Sequence, residues 1–291
     1  TGLSSVVLNS NNLNQLPNTF NVATQSPPYN RFHLPVNGVN LKDFQIGVNK
    51  ININYSWPNI TSANNIFTIQ WKIGASFTTY TATIPANTNY ESTSALNSWL
   101  QSFCITNGLY LVNAAGNNVY YIEFIENPTY YGTSLNLYLV PTSLPATWVQ
   151  PSNFAGYPTV SCTPTIAFPS TNLFYKIVGF APNTVFNGGA VAISYVSSFT
   201  PQISPVSSIY VRCSIAMNPL ALNGSNSIIN TFTAKGAAYG TTIVVEPNET
   251  VYFDTNAGTV SSIIVDFLDQ DFNALNVRDP DITIYLLIRP K

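Results

Sequence analysis

Apolar residues alternate with other residues over much of the chain, at the period of two that is typical of strands with one buried face. In residues 209–217 every odd-numbered position is apolar, whereas the even positions are mixed. Residues 282–288 repeat this alternation, and residues 263–267 give a shorter version of it. The sequence therefore predicts that the last third of the chain consists of strands, each with one buried face.

A change of parity marks another long strand region. Its apolar residues occupy even positions from Phe44 to Val48 and odd positions from Ile51 to Trp57. One extra residue near Asn49-Lys50 would keep all of them on one face, so the pattern predicts a β-bulge there. Further alternating strands are predicted over residues 67–73, 80–84 and 135–139.

One segment follows the helical period instead. Leu96, Trp99, Leu100 and Phe103 stand at i, i+3, i+4 and i+7, which predicts the only helix of the chain between residues 89 and 103. Asn89 or Ser92 is expected to cap its start, and Gly108 to follow its end. Two short apolar runs around residues 114–118 then predict a hairpin.

Prolines divide the remaining chain. Residues 1–40 contain four of them and are expected to be irregular, either as an arm along a neighbouring subunit or as a loosely packed terminus. Residues 141–169 are expected to form an extended connection, followed by a short apolar unit at 173–180. We therefore predict an all-β protein, in which residues 1–62 and 186–291 form a β-sandwich and residues 63–185 form an inserted α+β module.

The composition indicates assembly. Only 8% of the residues are charged, against about 25% in a typical globular protein, while 45% are hydrophobic. Sparse charge gives little mutual repulsion, which favours contact with other subunits. The net charge of −2 and the lack of any basic run argue against binding of nucleic acid. No apolar window is long enough to span a membrane.

The sequence offers little for catalysis. His33 is the only histidine and is interpreted as a loop residue, and no G-x-S-x-G motif accompanies it, so we predict that the protein is not an enzyme. Cys104, Cys162 and Cys213 are odd in number and widely spaced, which argues against a disulfide framework or a zinc site. Cys213 is expected to be buried, and free cysteines fit a reducing compartment such as the cytoplasm.

Acidic residues are concentrated near the C-terminus, where six of the seven aspartates lie between residues 254 and 281. Such a cluster could bind a hard cation or supply an acid–base pair, but the segment at 269–274 lacks the glycine of a calcium-binding loop. Aspartate next to proline is also typical of turns, the interpretation that we favour, so no metal or cofactor site is assigned. The aspartates are Asp43, Asp254, Asp266, Asp269, Asp271, Asp279 and Asp281.

Tyrosine pairs provide the other candidate for recognition. Tyr120-Tyr121 and Tyr130-Tyr131 stand out in a chain with 17 tyrosines. Exposed aromatic rings would suit a carbohydrate-binding surface, but tyrosine is also enriched at protein interfaces. We favour the interface over the sugar site.

Six segments in order carry a resemblance to a known family. They are YSWPNIT (55–61), IPANTNY (84–90), IVGF (177–180), SSIYVRCS (207–214), FLDQDF (267–272) and DPDITI (279–284). From about residue 44 onward the chain resembles the penton (minor capsid) proteins of virophages and polinton-like viruses, and it is most similar to the mavirus type. The first forty residues match this family poorly.

The resemblance implies a single jelly-roll capsid protein with an insertion domain, forming homopentamers at the fivefold vertices of an icosahedral virion. It further implies assembly in the host cytoplasm and contact with a double jelly-roll major capsid protein. The insertion would contact a host receptor or a fibre. The family supplies no catalytic residues to carry over.

Two alternatives remain open at this stage. An adhesin or lectin-like β-sandwich would bind a glycan or receptor through exposed aromatics or the aspartates. A secreted β-sandwich hydrolase would need an acid–base pair that the sequence does not supply.

Overall fold

Strand segments dominate the computed structural model, which describes residues 4–9, 30–217, 227–255 and 258–291. The contacts divide the chain into two compact units. We call Thr1–Trp57 with Val206–Lys291 the terminal unit, and Pro58–Pro205 the central unit. The sequence placed these divisions at 62/63 and 185/186, and its assignment of the two parts as capsid domain and insertion stays a prediction. The predominance of strand agrees with the predicted all-β class.

The terminal unit contains two antiparallel sheets. Among its described residues, one sheet has six strands in the order β1-β19-β3-β17-β14, with β16 also paired to β3, and the other has the order β15-β13-β18-β2. The strands are β1 (Ser4–Asn9), β2 (Arg31–Asn40), β3 (Phe44–Asn54), β13 (Ile209–Cys213), β14 (Ala216–Met217), β15 (Ile228–Phe232), β16 (Thr242–Val245), β17 (Phe253–Thr255), β18 (Thr259–Leu268) and β19 (Ile282–Pro290).

The predicted β-bulge is confirmed at Asn49. Along the pairing of β3 with β19, Tyr285 lies opposite Lys50 but Leu286 lies opposite Val48, so Asn49 has no residue opposite it. Asn49 is exposed, while Val48 and Ile51 on either side of the bulge are both buried. The extra residue therefore keeps both halves of the strand on the core.

The alternating faces of the two sheets meet in one buried cluster. Ile209, Val211 and Cys213 are fully buried on β13, as the odd-position pattern predicts. That prediction is wrong at the end of the segment, where Ala216 is buried and Met217 is 42% exposed. The cause is a turn at Ser214-Ile215, after which the chain leaves the four-stranded sheet of β13, and β14 pairs with β17 in the six-stranded sheet.

The expectation that residues 1–40 are irregular is wrong for β1 and β2, while residues 10–29 lie outside the described residues. Among the described residues, β2 pairs with β18 alone and lies at the edge of its sheet, a position that can accept Pro35 because one side of the backbone needs no partner. His33 therefore lies on a strand, opposite Ile264, and not in a loop. The register of the two strands shifts between Val260 and Ser262.

The central unit combines three small antiparallel sheets with two helices around a second buried cluster. The sheet orders are β11-β10-β4-β5, β12-β9-β8 and β6-β7. Its elements are β4 (Ile66–Ile73), β5 (Ser76–Thr83), α1 (Thr93–Thr106), β6 (Tyr110–Val112), β7 (Asn118–Tyr120), β8 (Ile122–Asn127), a 3₁₀ helix (Pro128–Tyr130), β9 (Gly132–Leu137), β10 (Thr165–Phe168), α2 (Phe174–Val178), β11 (Thr184–Phe186) and β12 (Ile193–Val196).

Helix α1 confirms the predicted apolar stripe. Leu96 and Leu100 are buried, and the Oγ of Ser92 caps the helix by accepting a hydrogen bond from the Ala95 amide at 3.1 Å. Gly108 follows the helix in the left-handed region, with φ of +68°. The expectation of a single helix is wrong, because residues 174–178 form α2, which is too short to show a helical period.

The two ends of the central unit are joined by one side chain. Asn59 is 3% exposed, and its Nδ2 donates to the Tyr90 carbonyl at 2.7 Å and to the Ile203 carbonyl at 2.6 Å. Its Oδ1 accepts from the Tyr90 amide at 2.9 Å. Through Nδ2, Asn59 thus links the start of the unit to Ile203 near its end, and both ends of its amide bind the backbone of Tyr90.

Within the described residues, no helix combines the length and the apolar character that crossing a bilayer requires.

Candidate functional site

The C-terminal aspartates do not converge on one site. Asp254 accepts from Gln45 Nε2 at 3.0 Å and lies 3.1 Å from Lys291 Nζ. These partners hold the pKa of Asp254 below its ordinary value, first by the hydrogen bond from Gln45 and then by that from Lys291. Asp266 instead lies beneath two arginines of the other sheet. In the described part of the chain, no group of three or more histidines, cysteines and acidic residues is arranged to hold a metal ion.

Two of the aspartates make the turn contacts that the sequence predicts. Asp269 Oδ1 accepts from the backbone amides of Asp271 and Asn273, each at 2.9 Å. Asp279 Oδ1 accepts from the Asp281 amide at 2.8 Å, and its Oδ2 accepts from Asn54 Nδ2 at 2.8 Å. These carboxylates hold the backbone between strands.

The cysteines are free thiols, and two of them are buried. Burial raises the pKa of Cys104 to about 12 and that of Cys213 to about 11. A buried thiol with so high a pKa is not a nucleophile near neutral pH, because the thiolate is the reactive form. Cys213 therefore occupies its strand as a small apolar residue, as predicted.

The two tyrosine pairs differ in exposure. Tyr130 and Tyr131 are 70% and 80% exposed at the 3₁₀ helix that connects β8 to β9. Tyr121 is 4% exposed and packs edge-on against Trp71, with ring centroids 5.7 Å apart. Only the second pair presents both of its rings to solvent.

Large apolar side chains are exposed on both units. On the terminal unit, Val244 of β16 is 54% exposed and Val251 is 62% exposed. On the central unit, Val160 and Phe199 are exposed to similar extents. A surface with few charges and many exposed apolar groups favours contact with other protein surfaces.

A groove in the central unit brings together residues that are far apart in sequence. We call it the Trp148 groove, and its volume is about 510 Å³. Strand β7 supplies Asn118 and Tyr120, and β8 supplies Glu123. Tyr138 follows β9, and Trp148 belongs to the proline-rich segment that also contributes Pro141 and Pro145. Aromatic rings thus line a groove with one carboxylate.

Hydrogen bonds order the polar groups of the Trp148 groove. Tyr138 donates its hydroxyl to Glu123 Oε2 at 2.8 Å and accepts from Asn136 Nδ2 at 3.3 Å. Burial, and then the hydrogen bond and negative charge of Glu123, raise the pKa of Tyr138. Asn118 Nδ2 donates to the Tyr120 hydroxyl at 3.1 Å. Both tyrosines are thereby held in place, and Tyr138 directs its proton to the carboxylate.

Among the groove residues, the sequence indicated Tyr120 and Tyr121 as candidates for recognition. Tyr138 and Trp148 stand alone in their segments, so no local pattern distinguishes them from core or surface aromatics. The pairing of Ile122 with Leu137 aligns β8 with β9 and brings Glu123 close to Tyr138. The feature that could have located the groove is therefore the register of β8 with β9, which the sequence did not predict.

Comparisons with known proteins found similarity to solved structures. No protein-family model matches the chain, and neither does any curated protein. The chain is similar to the crystal structure of selenomethionine-labelled mavirus penton protein, with 10% sequence identity and a TM-score of 0.45. The similarity covers 99% of this chain and 99% of that one.

Proposed function

We propose that the chain is a structural virion protein: the penton protein that forms homopentamers at the fivefold vertices of an icosahedral capsid. The six ordered segments that resemble virophage and polinton-like virus pentons support this role. The proposed role is structural rather than enzymatic. We place the protein at capsid vertices, assembled in the host cytoplasm and in contact with a double jelly-roll major capsid protein.

The observation that carries the proposal is the architecture of the terminal unit together with its surface. Two antiparallel sheets enclose one buried cluster, as in a jelly roll. We propose that this unit is the jelly-roll capsid domain and that the central unit is its insertion. Only 8% of the residues are charged, so neighbouring copies can approach with little repulsion.

Pentamer formation requires one patch of each subunit to meet a different patch on the next. Val244 lies on β16, which pairs on one side with β3 and has no other partner strand among the described residues. Val251 adds a second exposed apolar side chain to the same unit. We propose that this edge contributes to the contact between subunits.

Native mass spectrometry of the full chain, with and without the companion major capsid protein, tests the proposal. The expected species has five times the chain mass of 31.8 kDa. Val244→Lys and Val251→Lys are expected to weaken that species, because each places a charge in a desolvated contact. Val160→Lys, at a position that is 65% exposed on the central unit, is the matched control. A trimer, or a monomer under every condition, would contradict the vertex role.

A further inference from the structure

We propose that the Trp148 groove binds a neutral saccharide. This binding function goes beyond the proposed assembly role and does not depend on it, since every residue of the groove belongs to the central unit of one chain.

The aromatic rings provide the apolar part of the site. Tyr120, Tyr138 and Trp148 all line the groove and are only partly buried, so their surfaces remain accessible to a ligand. An aromatic face carries partial negative charge and attracts the polarised C–H groups of a sugar ring. Pro141 and Pro145 extend the apolar lining without adding hydrogen-bond donors.

The polar groups provide acceptors. Glu123 Oε2 already accepts the Tyr138 proton, and Oε1 has no hydrogen-bond partner in the part of the chain that the structure describes. An ionised carboxylate donates no hydrogen bond and can accept several, so this oxygen suits the hydroxyl donors of a sugar. Asn118 uses its Nδ2 on Tyr120 and keeps its carbonyl oxygen as another acceptor.

Charge and size narrow the class of ligand. Among the described residues that line the groove, Glu123 alone is charged, so a phosphate or carboxylate ligand would be repelled. A small ammonium ion could pair with Glu123 and contact the rings. It would contact only part of a lining that includes three aromatic rings, two prolines and Asn118. A neutral ligand of one or two sugar rings can contact the aromatic rings, Glu123 and Asn118 together.

Saturation-transfer NMR on the full chain tests the site, with the methyl glycosides of glucose, galactose, mannose and N-acetylglucosamine as probes and tetramethylammonium as the cationic comparator. We expect saturation of the ring protons of at least one glycoside and no signal from tetramethylammonium. Calorimetric titration of that glycoside is expected to show an affinity loss of about tenfold or more for Glu123→Gln, since a hydrogen bond to a charged group contributes about 1.5–3 kcal/mol.

Two further variants distinguish binding in the Trp148 groove from binding to exposed aromatic rings elsewhere. Trp148→Ala is expected to abolish the glycoside signal. Tyr130→Ala removes a ring that is 70% exposed outside the groove and is expected to leave the affinity unchanged. The saccharide site would be overturned if no glycoside gave a saturation-transfer signal, if tetramethylammonium alone gave one, or if Glu123→Gln bound the glycoside as tightly as the parent chain. Because binding is read on a single chain, these outcomes are distinguishable from a failure to form pentamers.

Discussion

Asp266 Oδ2 accepts two hydrogen bonds from Arg212, from Nε at 3.0 Å and from Nη2 at 2.6 Å. Its other oxygen accepts from Arg31 Nε at 2.6 Å. The three residues lie directly opposite one another on β13, β18 and β2. The Asp266 side chain is only 6% exposed beneath the arginines. A single carboxylate therefore connects three adjacent strands on the face of the sheet that points away from the core.

Asp266→Asn is expected to lower the free energy of unfolding by about 2–3 kcal/mol, because it removes the charge that two arginines share. This is below the value of about 3–5 kcal/mol for fully buried pairs, since the Arg31 side chain is 59% exposed. Urea denaturation followed by circular dichroism measures the change. Asp271→Asn, at an exposed turn position, is the control, and equal shifts in both variants would contradict the role of Asp266.

Alkaline pH is expected to destabilise the protein through two buried thiols and one buried tyrosine hydroxyl. Burial raises the pKa of Cys104 from 9.0 to about 12, that of Cys213 from 9.0 to about 11 and that of Tyr121 from 10.0 to about 12. Below pH 9 their contribution to stability is fully present. As the pH rises above 9, the unfolded chain releases protons that the folded chain retains, so the free energy of unfolding falls towards pH 12.

Urea denaturation at several pH values between about 8 and 11 measures this slope. The double variant Cys104→Ala/Cys213→Ala is expected to lose less stability over that interval than the parent chain. Cys162→Ala is the control, because Cys162 is only partly buried. An unchanged slope in the double variant would show that the thiols do not contribute.

Gly108 and Gly116 provide a matched pair, with φ of +68° and +81°. Gly116→Ala should cost about 1–2 kcal/mol, the penalty of an L-residue in the left-handed region. Gly108→Ala should cost about 3 kcal/mol or more, because overpacking adds to the same penalty: its Cβ would lie 1.9 Å from the Asn153 carbonyl oxygen. Thermal unfolding of both variants measures the difference in stability. Equal losses of stability would mean that the backbone at Asn153 moves away from the added Cβ at little cost.

Asn59→Asp is expected to destabilise the central unit by about 3 kcal/mol or more, since it removes two donated hydrogen bonds and places a buried charge beside two carbonyls. Hydrogen exchange measures this loss separately for the two units, because faster exchange is expected for the amides of the central unit and not for those of the terminal unit. Asn117→Asp, in the exposed hairpin turn, is the control. If the central-unit amides of Asn59→Asp exchanged as slowly as those of the parent chain, the stabilising role of the Asn59 side chain would be contradicted.

The sequence predicted those features that a local pattern encodes. The parity change between Val48 and Ile51 located the bulge because both half-strands must face one core. The spacing of Leu96 and Leu100 located α1 for a similar reason. In both cases the buried positions alone determine the structure, so no distant contact is needed to infer it.

Features that depend on distant partners were missed. Pro35 indicated an irregular terminus, but pairing of β2 with β18 at the edge of the sheet overrides that local preference. Helix α2 is too short to show a period. The Trp148 groove requires β7, β8 and the proline-rich segment to meet, and the sequence indicates none of these contacts.

Asn59 also bears on how this chain could change over time. Because the Asn59 amide at the start of the central unit donates to the Ile203 carbonyl near its end, the segment begins and ends at nearly the same point. A segment whose ends lie close together can be inserted into a chain or exchanged as a unit. The junctions at 57/58 and 205/206 are accordingly the positions at which recombination, or a protein engineer, could replace the central unit with another segment.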